Sequence, residues 1–221
     1  MKKLVIFGAE NFAAISHYYF THDSEYTVAG FTVDRDYVLE EAFQGLPVVP
    51  FDEVDRHFPP AEYDMFVAVG IRELNRFRAR KVDEAQRKGY RLASYLSSRA
   101  IVPPGLSLGP NTMVMESVIV HPHVTIGQNT IVWPNSQLSF FGRVGDHCWL
   151  VCITTGEAFA IGDYTFAGLR AVIAPFVKIG RANVLGAGAL LLESTSDSAV
   201  YRGHGSKASR VPSSKVEKLL Q

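Results

Sequence analysis

The chain has few cysteines, no excess of charge and no long apolar run. Among its 221 residues are only two cysteines, Cys148 and Cys152, and its basic and acidic side chains number 22 each. A balanced charge creates no field that would recruit nucleic acid or an anionic membrane surface. We expect the two cysteines to be buried thiols of a cytosolic protein, with a disulfide between them as the alternative.

The start of the chain also lacks the features of a signal peptide. Lys2 and Lys3 are followed by an apolar run at residues 4–7 that ends at Gly8. This run is too short for secretion, and no other segment approaches the length of a membrane span. We therefore expect a cytoplasmic protein, with room for two small domains.

An aliphatic residue recurs at every sixth position between about residue 100 and residue 193. The first nine are Val102, Leu108, Val114, Val120, Ile126, Val132, Leu138, Val144 and Leu150. The pattern resumes at Ile161, so that the larger period is 18 residues with one interval of 17. Three hexads per coil predict a triangular parallel β-helix, in which each coil buries its apolar corner against its neighbours. The alternative is an ordinary β-sandwich, but its strands would not maintain a six-residue spacing of aliphatic residues over this length.

Before the repeat, strands alternate with helices, which predicts a parallel sheet with its ligand crevice at the strand ends. Strands are expected at residues 3–7, 26–33, 46–49, 64–69 and 90–96, and helices at residues 11–20, 51–56 and 72–88. We divide the chain into an α/β domain at residues 1–96, a β-helix at residues 97–193 and a tail at residues 194–221.

One turn and two side chains of the α/β domain are candidates for a nucleotide-binding site. Gly8 links the first strand to a helix, an arrangement whose free N–H groups attract phosphate. The other glycines of the dinucleotide fingerprint are missing, which favours a mononucleotide diphosphate. Asp34 ends the second strand, where such folds place a carboxylate on a ribose hydroxyl. Arg72 is either a pyrophosphate ligand or part of a solvated basic face with Arg76 and Arg80.

The repeat units LSLGPN, VTIGQN and VKIGRANVLGAGALL resemble those of hexapeptide-repeat acyltransferases. With the N-terminal part added, the whole chain is similar to bacterial sialic-acid O-acetyltransferases and bacillosamine N-acetyltransferases. The resemblance implies a Rossmann-like domain followed by a left-handed β-helix, assembled as a homotrimer. It also implies transfer of an acyl group from acetyl-CoA, or another acyl-CoA, to a nucleotide-linked amino sugar or related small acceptor, without a metal.

The resemblance assigns residues to two ligands. The contacts to the nucleotide part of the sugar are Gly8, Asp34 and Gly70. The contacts to the coenzyme are Gly186 and Gly188, where the pantetheine arm approaches backbone, and Lys207 in the tail, beside a phosphate.

The general base of this family is a histidine, and the chain has none at the matching position. Aligned on residues 144–146, the position is Phe140, whose side chain can neither accept a proton nor donate a hydrogen bond. Counted by coils, the nearest proton acceptors are His121 and His123 one layer below and Glu157 one layer above, with a surface role as the alternative for each. The alternative function is a catalytically altered or inactive member that serves as a binding or scaffold protein, or that catalyses another reaction.

Two further expectations concern assembly and metals. The apolar residues Trp133, Phe140 and Trp149 are expected to be exposed on coil faces, which favours burial between the subunits of a trimer. Left-handed β-helix carbonic anhydrases bind zinc, but the spacing of histidines in this chain differs from theirs, so no zinc site is expected.

Overall fold

The computed structural model describes residues 2–203 and residue 205, and its second half is a stack of two-residue parallel strands on three faces. The first face contains Tyr95–Leu96, Met113–Val114, Ile131–Val132, Trp149–Leu150, Phe166–Ala167, Val184–Leu185 and Val200–Tyr201. The second contains Ile119–Val120, Gln137–Leu138, Thr154–Thr155, Val172–Ile173 and Leu190–Leu191. The third contains Thr125–Ile126, Arg143–Val144, Ala160–Ile161 and Lys178–Ile179. These sheets fit a left-handed parallel β-helix of hexapeptide repeats.

The aliphatic residues of the six-residue period fill the interior of the stack. Val114, Val132 and Leu150 of the first face, for example, are fully buried. A residue with left-handed backbone turns each corner, usually three positions after the aliphatic residue, as at Asn129 and Phe141. The left-handed conformation is unfavourable for residues other than glycine. The stacking of neighbouring coils must therefore hold these corner residues in place.

The shortened coil loses its residue at the corner after Leu150. The left-handed residue there is Cys152, only two positions on. One face later, Thr155 occupies a buried position of the aliphatic series. Its hydroxyl oxygen accepts a hydrogen bond from the backbone N–H of Ser139 at 2.9 Å. The polar side chain of Thr155 thus anchors the corner that follows the second face.

Both cysteines are free and buried, as expected, and the alternative of a disulfide is wrong. Burial raises the pKa of the Cys148 thiol to about 12. A thiol with so high a pKa is almost entirely protonated at neutral pH and therefore unreactive.

The N-terminal part is a five-stranded sheet in the order β3-β4-β2-β1-β5. Its elements are β1 (Lys2–Phe7), α1 (Asn11–His22), β2 (Tyr26–Val33), β3 (Ala42–Phe43), β4 (Leu46–Pro50), α2 (Val54–His57), β5 (Tyr63–Val67) and α3 (Arg76–Arg87), with a 3₁₀ turn at Arg35–Tyr37. Strands β4, β2, β1 and β5 are parallel, and β3 pairs antiparallel at the edge. The predicted parallel sheet is therefore confirmed for these four strands, and the antiparallel edge strand was not predicted.

Two predicted elements differ from the structure. The strand expected at residues 90–96 is divided between the two parts of the chain. Leu92 forms a parallel bridge with Met65 at the edge of this sheet, whereas Tyr95–Leu96 pairs with Met113–Val114 and begins the first face of the β-helix. The helix expected from residue 72 begins only at Arg76. Glu73, Leu74 and Asn75 all have positive φ, so the chain makes a left-handed turn before the helix starts.

Helix α1 and the sheet pack directly against the first face of the β-helix. Phe12 lies 4.8 Å from the ring of Trp149 and 6.2 Å from that of Trp133, measured between centroids. As a result Trp149 is only 7% exposed and Trp133 is partly buried. The expectation that both tryptophans lie exposed is wrong, because the same chain covers them.

Arg78 joins α3 to the β-helix from a fully buried position. Its guanidinium donates hydrogen bonds to Oδ1 and the carbonyl oxygen of Asn129, to Oδ1 of Asn75, and to the carbonyl oxygens of Val69, Gly70 and Cys148, at 2.9–3.3 Å. No carboxylate of the described residues pairs with it, and burial lowers its pKa to about 9. Hydrogen bonds to neutral oxygens must therefore compensate for the desolvation of the charge.

His147 belongs to the same group of buried polar side chains as Arg78 and Asn129. Its lowered pKa predicts that the fold is less stable in acid. Its Nδ1 lies 2.8 Å from Nδ2 of Asn129, and burial lowers its pKa below the usual 6.5. The unfolded chain therefore binds a proton at a higher pH than the folded chain does. This contribution to stability is complete above pH 6.5 and is lost as the pH falls below it.

Urea unfolding between about pH 7.5 and about pH 5.5 measures this contribution. We expect His147→Gln to lose less stability on acidification than the wild type, with exposed His123→Gln as the control. The pKa of His17 is also lowered, so the stability of every variant should retain some dependence on pH. An equal loss in His147→Gln and the wild type would contradict the assignment.

Candidate functional site

A cavity of about 300 Å³ opens where β1, β2 and β5 end. We call it the strand-end cavity. Gly8, Asp34, Gly70 and Arg72, the residues expected to bind the nucleotide, all line it. Their convergence follows from the parallel sheet, because the carboxyl ends of adjacent parallel strands lie at one edge.

Gly8 is required at the bottom of this cavity by packing as well as by conformation. Its φ is +124°, and a Cβ built there would lie 2.6 Å from the carbonyl oxygen of Ala68. Helix α1 begins directly afterwards, and its N-cap residue Glu10 makes no side-chain capping bond. The first hydrogen bond into the helix is donated by Ala14 to the carbonyl oxygen of Glu10, so the N–H groups at residues 11–13 remain available to an anion, whereas the N–H of Gly8 donates to the carbonyl oxygen of Thr32.

Asp34 lies between the cavity and a lysine that fixes its carboxylate. Lys81, nearly buried, donates hydrogen bonds to Asp34 Oδ1 and to Glu84 Oε2, both at 2.7 Å. Burial opposes the charge on Lys81, but these two carboxylates outweigh it and raise its pKa. One oxygen of Asp34 is therefore oriented by the protein, which leaves the other to accept a hydrogen bond from a ligand.

The three arginines expected on one helical face are separated in the structure. Arg72 precedes the helix and lines the strand-end cavity, with its Nη1 3.4 Å from the hydroxyl of Tyr37. Arg80 forms a two-pronged ion pair with Glu73 at 2.8 and 3.0 Å. Arg76 lies over the ring of Tyr164, 5.3 Å from its centroid. Only Arg72 reaches the cavity.

A second, more open cavity of about 530 Å³ lies between α1 and the first face of the β-helix. It shares Glu10, Ala68, Gly70 and Ile71 with the strand-end cavity, and Trp133 and Trp149 form its wall on the β-helix side. We call it the tryptophan cavity. No sequence pattern indicated it, because its wall forms only when the two parts of the chain pack together.

The corner at residues 139–142, which we call the aromatic corner, contains the position of the expected base. Phe140 is 40% and Phe141 is 63% exposed. The half-buried ring of His121 lies 4.2 Å from that of Phe140, and the exposed ring of His123 stacks on Phe141 at 4.9 Å. Glu157 is exposed in the coil above, where the N–H of its neighbour Ala158 donates to the carbonyl oxygen of Phe140. His121 is thus the candidate in contact with the base position.

The aromatic corner and the two cavities lie on opposite sides of one chain. The corner joins Gln137–Leu138 of the second face to Arg143–Val144 of the third. The tryptophan cavity lies against the first face, which is the side of the triangle opposite that corner, and the strand-end cavity adjoins it through their shared residues. A site that uses both would need the corner of a neighbouring chain.

The glycines expected beside the coenzyme differ from each other. A Cβ at Gly186 would lie 3.1 Å from the backbone nitrogen of Gly203 and 3.2 Å from the carbonyl oxygen of Tyr201, so the backbone at residues 201–203 of the same chain occupies the space beside it. Gly188 has φ +68° and open space around it. Lys207 lies outside the described residues.

Two kinds of feature are absent from the described part of the chain. No group of three or more histidine, cysteine or acidic side chains is arranged to hold a metal ion in residues 2–203. Within the same range, no helix combines the length and the apolar character needed to cross a bilayer.

The comparisons with known proteins agree with this architecture. The family model for bacterial transferase hexapeptide (six repeats) matches residues 105–139. Perosamine N-acetyltransferase from Caulobacter crescentus, in a histidine-to-asparagine variant with CoA and GDP-perosamine, has a TM-score of 0.80 and 25% identity, over 92% of this chain and 94% of that chain. The predicted resemblance to hexapeptide-repeat sugar acyltransferases is confirmed. No curated protein matches this hexapeptide-repeat chain.

Two more solved structures extend the likeness over both parts of the chain. PerB from Caulobacter crescentus, in complex with CoA and GDP-perosamine, has a TM-score of 0.79 and 26% identity, over 92% of this chain and 95% of that chain. The acetyltransferase domain of PglB from Neisseria gonorrhoeae has a TM-score of 0.79 and 20% identity, over 95% of this chain and 100% of that chain. The latter likeness concerns the fold alone.

Proposed function

We propose that the protein transfers an acyl group from acetyl-CoA, or another acyl-CoA, to a nucleotide-linked amino sugar or a related small acceptor. The observation that carries the proposal is the strand-end cavity, in which Gly8, Asp34, Gly70 and Arg72 meet at the N-terminus of α1. Residues 1–96 then form a Rossmann-like domain for the nucleotide, and residues 97–193 supply the acyl-transfer scaffold. The Caulobacter relatives, crystallised with CoA and GDP-perosamine, support this assignment.

Within this proposal Asp34 accepts a hydrogen bond from a ribose hydroxyl, and Arg72 and the N-terminus of α1 bind the diphosphate. Gly186, Gly188 and Lys207 are the proposed coenzyme contacts, and of these Gly188 has the open surroundings that a pantetheine arm needs. His121 is the proposed base, since it is the proton acceptor in contact with Phe140. His123 and Glu157 are the other candidates, both more exposed.

The nucleotide assignment predicts weaker binding after Asp34→Ala. Losing a charged acceptor for a ribose hydroxyl should raise the Kd for a nucleoside diphosphate sugar about 10-fold or more. Calorimetry with guanosine, uridine and thymidine diphosphates, free and sugar-linked, measures this, and circular dichroism checks the fold. Asp52→Ala is the matched control, because Asp52 also pairs with a cation but lies outside this cavity. Equal affinities of Asp34→Ala and the wild type would contradict the assignment.

The opposite placement of the aromatic corner and the cavities supports a homotrimer. Apolar side chains remain exposed near that corner and on the second face, among them Phe140, Phe176, Ile101 and Leu190. Exposed apolar groups of this kind are typical of surfaces that another subunit covers. Light scattering at micromolar concentration should give three times the mass of one chain, and the mass of a single chain would contradict the trimer.

Two observations favour the alternative of a catalytically altered or inactive member. Phe140 and Phe141 fill the aromatic corner where the resemblance places the base, and the shortened coil alters its hydrogen bonding through Thr155. Such a protein would bind the nucleotide sugar without releasing thiol from acetyl-CoA. Parallel binding and transfer assays therefore separate the two functions.

A further inference from the structure

The loop that follows β5 forms one wall of the strand-end cavity, and residues 68–72 all line that cavity. A side chain built at Gly70 would meet nothing within 4 Å, so packing does not fix the backbone at this point of the wall. Hydrogen bonds to the backbone must therefore determine where the wall lies. The groups that supply them come from the β-helix and from α3.

The edge of β5 just before this loop is paired by a side chain instead of a strand. Met65 donates its N–H to the carbonyl oxygen of Arg91 and accepts a hydrogen bond from the N–H of Ala93 at this edge. Two residues on, Val67 donates its N–H to Oδ1 of Asn111 at 2.6 Å, and Nδ2 of Asn111 donates to the carbonyl oxygen of Val67 at 3.1 Å. Asn111 is a fully buried corner residue of the β-helix. The end of β5 is therefore attached to that corner.

Arg78 attaches the part of the wall that follows. Its Nη1 donates to the carbonyl oxygens of Val69 and Gly70 at 3.2 and 3.3 Å. Its Nε and Nη2 donate to Oδ1 and the carbonyl oxygen of Asn129 at 2.9 and 3.1 Å. Nδ2 of Asn111 also donates to Oδ1 of Asn129, at 2.8 Å. The two attachments thus share one acceptor and form a single network of fully buried side chains.

We propose that Arg78 and Asn111 are positioning residues for the nucleotide, which fix residues 67–72 relative to the β-helix and thereby set the affinity of the strand-end cavity. Neither lines the cavity, so they act through Gly70 and Arg72, which do. Groups that bind a ligand must be held within roughly 0.5 Å of their productive geometry by such supporting side chains. The inference rests on the proposed function, because it takes the strand-end cavity to bind the nucleotide.

A general loss of contact between the α/β part and the β-helix has a different signature, and Asp23 provides the comparison. Asp23 follows the C-terminal end of α1 and lines neither cavity. Its carboxylate accepts hydrogen bonds from the hydroxyls of Tyr95 and Ser97 and from the N–H of Ser98, at 2.7–3.0 Å. Asp23→Ala therefore weakens the contact between the two parts without removing a bond to residues 67–72.

Calorimetry on the full chain, with guanosine, uridine and thymidine diphosphates as probes, tests the inference in Asn111→Gly and Arg78→Lys. Glycine adopts the left-handed backbone of Asn111 without strain and removes only the amide. Lysine keeps the charge of Arg78, but its single ammonium group cannot replace the planar fork that spans the loop and Asn129. We expect the Kd of the bound nucleotide to rise about 10-fold or more in both variants.

Two controls should keep a Kd within about twofold of the wild type. They are Asp23→Ala and Asn135→Gly, which changes an exposed asparagine with left-handed backbone at another corner. Each Kd is measured below the onset of thermal unfolding, so a lower stability alone does not change it.

The outcomes separate the inference from the proposed function. If Asn111→Gly and Arg78→Lys unfold at a lower temperature yet bind nucleotide as tightly as the wild type, the network only stabilises the fold. The inference is then overturned and the proposed function stands. An equal loss of affinity in Asp23→Ala would overturn it as well, because contact between the two parts would then matter in general. If the wild type binds none of the three diphosphates, both the inference and the proposed function fail.

Discussion

Replacing His121 by Asn should lower the rate of acyl transfer about 100-fold or more. A base that accepts the proton of the attacking amine contributes about 10²–10⁴-fold, and His121 is the proton acceptor in contact with Phe140 at the expected base position. Asparagine keeps a polar side chain of smaller volume but cannot accept the proton. The rise of kcat/KM with pH that reports a base should disappear in the variant.

His123→Asn is the matched control for this prediction. His123 belongs to the same corner and also contacts a phenylalanine, yet its ring is exposed and lies flat on Phe141, with 5° between the planes. We expect its turnover to stay within about twofold of the wild type. If His121→Asn keeps full activity while His123→Asn or Glu157→Gln loses it, the base has been assigned to the wrong residue.

Arg78→Ala should lower the free energy of unfolding by about 3 kcal/mol or more. The change leaves a cavity and removes the hydrogen bonds that reach from α3 to Oδ1 and the carbonyl oxygen of Asn129 and to the carbonyl oxygen of Cys148 in the β-helix. Each buried acceptor left without a donor is unfavourable by about 1–3 kcal/mol. Loss of the unfavourable burial of the charge offsets part of this, but it cannot restore the missing partners.

Arg76→Ala provides the comparison, because Arg76 lies on the same helix with an exposed side chain. Its stability should remain within about 0.5 kcal/mol of the wild type. Urea unfolding at one fixed protein concentration measures both variants, since any assembly makes stability depend on concentration. Similar midpoints for Arg78→Ala and Arg76→Ala would show that the buried guanidinium does not hold the two parts together.

The fold was largely predictable because each part repeats a simple physical pattern. A six-residue period of aliphatic side chains can satisfy its burial only by stacking, and alternating strands and helices specify a parallel sheet. The predictions that were wrong concern features determined by contacts between the α/β part and the β-helix. Tyr95–Leu96 joins the β-helix because Met113–Val114 offers it a partner, and the tryptophans are covered because α1 packs on the first face.

The candidate site was predictable only where the sheet positions it. Gly8, Asp34, Gly70 and Arg72 follow strand ends, and parallel strands bring such residues together. Arg78 gave no signal of this kind, since an arginine in a polar helix ordinarily faces solvent. The one available hint was the 18-residue spacing of Asn111, Asn129 and His147, which places polar side chains on one corner of successive coils.

The tryptophan cavity could not be predicted from the sequence for a related reason. Its wall combines Glu10 at the start of α1 with Trp133 and Trp149 of the β-helix, more than a hundred residues further on. No periodicity connects these residues. Only the packing of α1 against the first face determines that they line one space.

The most direct test of the proposed reaction is release of CoA thiol from acetyl-CoA in the presence of nucleotide-linked amino sugars. The panel includes GDP-perosamine and the amino-deoxy sugars of uridine and thymidine diphosphate, each with the fully hydroxylated sugar as its control. We expect thiol release that requires both substrates, with one acylated sugar formed per thiol. If calorimetry shows an amino sugar of the panel to be bound while no thiol is released above the rate without protein, the protein binds nucleotide-linked sugars without transferring an acyl group.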